Sequence, residues 1–104
     1  MKLSTAIREG AKLGPQLFGI SADGTGASCA LGAALLAIGV DCGGAYTKVL
    51  DHFDVSLRTV IYPAAVGEPY AVCMLAAIRE LNDHEQWTRE RIADWVETQE
   101  KDEV

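Results

Sequence analysis

Apolar side chains recur at helical spacing along most of this chain. Leu3, Ala6, Ile7, Leu13 and Leu17 fall near one face, with Arg8, Glu9 and Lys12 off it, which predicts an amphipathic first helix. Ser4 is its expected N-cap and Gly14-Pro15 its stop, because proline disfavours helical geometry in the residue before it. Phe18 and Ile20 then read as a short extended arm, and 21–26, with Asp23 and two glycines, as a turn. A second helix is predicted over 29–38, CALGAALLAI, with Ser28 as cap and Gly39 as stop. It is apolar on every side, so it belongs in the middle of a core. Gly32, Ala33 and Ala34 are small enough to let neighbouring helices come close.

After a Cys42-Gly43-Gly44 loop, a short helix over 45–53 carries Tyr46, Val49, Leu50 and Phe53. The stretch 55–62 is rich in β-branched residues but does not alternate cleanly; a short strand and an irregular segment both fit. Pro69 suits the first turn of the next helix, in which Tyr70, Cys73, Met74, Ala77, Ile78 and Leu81 follow the i, i+3, i+4 pattern. Asn82-Asp83-His84-Glu85 reads as a turn. Thr88 caps a last helix, with Trp87 stapled onto Ile92 and with Ile92, Trp95 and Val96 inward. From Glu97 the chain is acidic and is expected to fray, leaving an acidic tail from about residue 98. The fold expected over 1–104 is one all-α domain. Four or five short helices pack around helix 29–38, with room for one short β segment near 55–62. Cys29-Ala30-Leu31-Gly32-Ala33 also echoes Cys73-Met74-Leu75-Ala76-Ala77, as two stacked helical hairpins would.

Composition narrows the function classes. With 49% hydrophobic and 23% charged residues in 104, the chain has enough apolar surface for one core and needs no metal or disulfide to fold. Its net charge of -6 works against phosphate neutralisation and suits a partner with a basic surface. Cys29, Cys42 and Cys73 are odd in number and widely spaced, which argues against a secreted disulfide scaffold and a cysteine zinc site. Arg8, Glu9 and Lys12 interrupt any signal-peptide core, and the apolar run 29–40 is short of the roughly 20 residues that span a bilayer. The expectation is a cytoplasmic protein with no membrane contact.

Few residues suggest chemistry. Cys29 opens a helix, where the dipole favours a thiolate, but a nucleophile also needs a base, and its small apolar neighbours favour an inert thiol. Asp51-His52 with Asp54, and Asp83-His84-Glu85, contain metal-ligand residue types, yet turn chemistry and helix ends explain them more simply. The glycines at 24–26 and 43–44 match no phosphate-binding loop. No catalytic residue and no cofactor is expected. The predicted hairpin 69–99 has the outline of a helix-turn-helix with Arg89 and Arg91 early on its second helix, but Asp94, Glu97 and Glu100 on the same helix repel phosphate. Trp87, Arg89 and Arg91 are therefore the candidate partner-binding residues, with core packing the stronger reading of Trp87.

The run LNDHEQWTRERIADWVE over 81–97, with AIREGAKLGPQLFG near the start and SCALGAALLAIG between, resembles a group of small uncharacterised proteins from bacteria and their phages. The resemblance implies no activity; it implies a phage or host-defence setting. Some of that group carry a Cys-Pro-x-Cys knuckle where this chain has Tyr62-Pro63-Ala64-Ala65, so no metal role carries over. The leading expectation is a non-enzymatic, acidic protein-interaction module whose partner is another protein. The alternatives are DNA binding through 69–99, and a small enzyme or metal protein.

Overall fold

The structure is a computed structural model that describes residues 1–19, 27–40, 45–53 and 59–101. The expected loops at 21–26 and 42–44, with Cys42, and the residues Ile20 and Asp54 lie outside the described residues. So does the first half, 55–58, of the expected β segment. Among the described residues the elements run α1 (Leu3–Ala11), α2 (Ala30–Ala37), α3 (Ala45–His52), β1 (Thr59–Ile61), β2 (Ala71–Cys73), α4 (Met74–Asp83) and α5 (Arg89–Lys101). The protein is mainly helical, with one two-stranded antiparallel sheet. Among the described residues no helix is long and apolar enough to cross a membrane.

The apolar helix is central, as its composition demands. α1, α3 and α4 all pack against α2, and α1 also packs on α5. Leu31 and Leu35 are buried, whereas Ile38, expected with them to be near-fully covered, is half-buried at the helix end. That end is a Schellman motif: Gly39 takes φ +74, its N–H donates to the Leu36 carbonyl, and the Val40 N–H donates to the Leu35 carbonyl. The close approach expected of the small residues is made between α1 and α2. A Cβ on Gly10 would lie 1.7 Å from the Ala33 carbonyl oxygen, so any side chain there would push the two helices apart.

Two expected caps are replaced. Ser4 does not cap α1 but lies inside it; its hydroxyl and its backbone N–H donate to the Glu100 carboxylate of α5. Glu100 thereby satisfies an N–H of the first turn of α1 from the far end of the chain. For the same reason α5 does not fray at Glu97 but continues to Lys101, with Glu100 buried. α2 is capped by Cys29, whose Sγ accepts from the Gly32 N–H at 3.3 Å, rather than by Ser28. Cys73 likewise holds the N-cap position of α4, at the end of a strand, though it makes no side-chain cap bond.

The expected helix start at Pro69 is corrected. β2 occupies Ala71–Cys73 and pairs with β1 in the register Thr59↔Cys73, Val60↔Val72, Ile61↔Ala71. The Tyr62 N–H donates to the Tyr70 carbonyl just beyond the sheet. Tyr, Val and Cys in this stretch tolerate extended backbone, and the pairing supplies the hydrogen bonds a helical turn would have supplied. The connection between α4 and α5 is correspondingly compact: Gln86 adopts φ +54, and the Trp87 N–H returns to the Leu81 carbonyl at 2.9 Å.

Candidate functional site

The start of α5 holds the three residues expected to bind a partner, and the structure separates them. Thr88 caps the helix as expected: its Oγ1 accepts from the Arg91 N–H at 3.1 Å. Trp87 is half-buried against the core, and the Arg91 guanidinium lies over its ring at 3.8 Å. Arg89, first residue of the helix, turns inward and is only 5% exposed. One of its nitrogens donates to the Ser28 carbonyl at 3.2 Å and the Ser28 hydroxyl at 3.0 Å. The other donates to the carbonyls of Ala11 and Gly14. Ala11 ends α1, so the cation sits where a helix leaves unpaired carbonyls and negative partial charge. Burial pushes the Arg89 pKa down from its ordinary value, with Glu90 and the Cys29 thiol acting the other way. Arg89 is an internal clamp, its guanidinium engaged on interior carbonyls rather than on the open face of α5.

Asn82 forms a second internal node. It was expected in a turn, yet it closes the inward face of α4 and is 1% exposed. Its Oδ1 accepts from the Ala30 N–H at 3.1 Å, at the start of α2, and from Gln16 Nε2 at 2.8 Å. Its Nδ2 donates to the Leu17 carbonyl and to Asp83 Oδ1, both at 2.8 Å. Gln16 also donates to the Trp87 carbonyl at 2.7 Å, and Asp83 Oδ1 accepts from the Gly19 N–H at 2.9 Å. The arm after α1 runs beside 27–29 through Ser28 N–H to Pro15 carbonyl and Leu17 N–H to Ser28 carbonyl bonds. Arg89 and Asn82 thus tie three distant segments together. Fully satisfied buried polar groups of this kind specify one packing rather than offer a site.

Among the described residues the candidate acid–base and metal clusters do not assemble. Asp83 faces Asn82 and Gly19, while the His84 ring pairs with the Glu80 carboxylate on the outside of α4. His52 is exposed at the end of α3. Among the described residues no three His, Cys, Asp or Glu side chains are grouped to hold a metal. Cys29 and Cys73 are half-buried and not in disulfides, and the Cys29 sulfur is engaged as a helix cap.

What sequence reading missed is the surface of the β1–β2 hairpin. Ile61 is 57% exposed, Val66 100% and Tyr70 50%, all within ten residues of one another. Between them Tyr62 is buried, and its ring stacks on that of Tyr70 with centroids 5.3 Å apart and planes 22° apart. Burial first, and the carboxylate of Glu85 next, push the Tyr62 phenol up to about 12. Period-2 alternation was the available signal. Val60, Tyr62 and Val72 turn toward the core, and Ile61 turns away. The strands have only three residues each, too few for that alternation to stand out beside the helical spacing that follows. No family model, no curated protein and no solved structure matches the chain.

Proposed function

We propose that this chain is a non-enzymatic protein-interaction module of the cytoplasm that engages its partner through the β1–β2 hairpin. The observation that carries the reading is the exposure of Ile61, Val66 and Tyr70 together on one hairpin. Large apolar side chains left exposed on both sides of one short hairpin favour a protein partner, and an exposed tyrosine backed by a second ring supplies a rigid contact at small entropic cost. The DNA-binding alternative needs its cations on the surface of α5, and Arg89 is spent on the interior carbonyls of Ala11, Gly14 and Ser28. An enzyme needs a nucleophile and a base within hydrogen-bond reach, and the Cys29 sulfur faces the Gly32 N–H instead.

The test is a tagged full-length chain recovered from its native cells beside the double variant Ile61→Ser, Val66→Glu. The expected outcome is a protein retained by the wild type and lost by the variant, at unchanged melting temperature. Equal retention by both, or loss caused instead by Trp87→Ala, would remove the hairpin as the binding surface.

A further inference from the structure

The two-stranded sheet leaves β1 with an open backbone edge. The Tyr62 N–H donates to the Tyr70 carbonyl, and the register pairs Val60 with Val72 and Ile61 with Ala71. In an antiparallel ladder, residues that exchange hydrogen bonds alternate with residues that do not. Val60 and Tyr62 therefore turn their backbone groups toward β2, and Thr59 and Ile61 turn theirs away from it. Among the described residues neither Thr59 nor Ile61 makes a hydrogen bond on that outer side. Both are exposed, and so is Ala71, which shares a sheet face with Ile61. Val60 and Tyr62 on the opposite face are buried, so the core holds β1 in place while its outer edge stands free. Strand edges are commonly blunted by charge or proline, yet Thr59 and Ile61 are β-branched and uncharged. Arg58 and Pro63 flank them in the sequence and limit the edge to 59–62. The edge of β2 is cut short, because α4 begins at Met74.

We infer that the partner protein adds an extended segment to the outer edge of β1, as a third strand whose N–H and C=O groups pair with those of Thr59 and Ile61. The inference rests on the interaction reading above and names the manner in which the hairpin is engaged. Unpaired N–H and C=O groups at alternate residues fit a peptide backbone, which carries both at the same spacing. Side chains of the segment that fall beside Thr59 and Ile61 share the open face with Ala71, so β-branched or aromatic residues at alternate positions gain cross-strand contact there. A third strand also adds the stability that a two-stranded sheet of three-residue strands lacks. A second copy of the chain has a matching edge, but each copy carries a net charge of -6, which sets the two against each other.

Panning a random-peptide display library on the full-length protein tests this, with counter-selection on the folded Ile61→Pro, Val66→Glu variant. The Ile61 N–H points outward, so proline there spares the β1–β2 ladder. Synthetic forms of the hairpin-dependent peptides are then N-methylated one residue at a time. The expected result is a loss of at least about tenfold in affinity at every second position and little change between, because only alternate N–H groups of an added strand face β1. In the same complexes of the unaltered protein, amide exchange at Thr59 and Ile61 should slow by at least about tenfold, with Ala71 unchanged. Hairpin-dependent peptides without that alternation, or protection at Ala71 in place of Ile61, would overturn the inference and leave the interaction surface standing. Protection of Thr59 and Ile61 on concentrating the protein alone would make a second copy the occupant and overturn the inference too. Recovery of no hairpin-dependent peptide would overturn both readings.

Discussion

Arg89 shows how far a residue's role can depart from its local sequence. In TRERIADW it reads as one of several exposed charges, yet its partners at Ser28, Gly14 and Ala11 lie 61, 75 and 78 residues away along the chain. No pattern of neighbours announces such partners. Asn82 was partly legible, since it sits next to Leu81 and four residues after Ile78, at the edge of an apolar stripe where a buried polar side chain needs bonds. Arg89→Met should lower stability by about 2–4 kcal/mol, because four acceptors lose a charged donor in a buried place. For a chain of this size that is a fall in melting temperature of roughly 10–20 °C. Arg89→Lys should not rescue it, since one ammonium cannot span both pairs of acceptors as the guanidinium fork does. A melt close to wild type, with loss of a bound partner, would return Arg89 to the surface role.

At the scale of elements, what could be read was whatever local chemistry decides. The all-round apolar helix, its Gly39 stop and the Thr88 cap each depend on residues within a turn of one another, and each stands as expected. What could not be read was settled by distant partners. Ser4 meets Glu100 across the whole chain, and β2 exists because β1 offers it a ladder. Thr88→Ala should cost about 1 kcal/mol by leaving the Arg91 N–H without its acceptor. A denaturant midpoint unmoved at constant slope would show that water replaces the hydroxyl without loss. The hairpin makes a pH-dependent prediction. The Tyr62 phenol is raised from 10 to about 12, so the folded state holds its proton more tightly than the unfolded chain. Its contribution is fully present below pH 10 and is lost as pH rises through about 12. Tyr62→Phe should flatten the decline between those limits; parallel pH–stability curves for the two proteins would contradict the buried phenol.

For the molecule as a whole, the polar interior and the apolar exterior divide the work. Arg89, Asn82 and Glu100 hold α1, α2, α4 and α5 in one arrangement from inside. Ile61 and Val66 stand outside it, and Tyr70 covers the buried Tyr62 ring with one face and leaves the rest open. The division of class, mainly helical and acidic, was open to reading from composition and spacing; the location of the binding face was not, because it depends on which side of a three-residue strand turns outward. Mapping amide chemical shifts of the full-length protein as its captured partner is added tests this division most directly. The account predicts perturbations concentrated on Ile61, Val66, Glu68 and Tyr70, with the start of α5 unmoved. Perturbations centred on Trp87 and Arg91, with the hairpin silent, would contradict it.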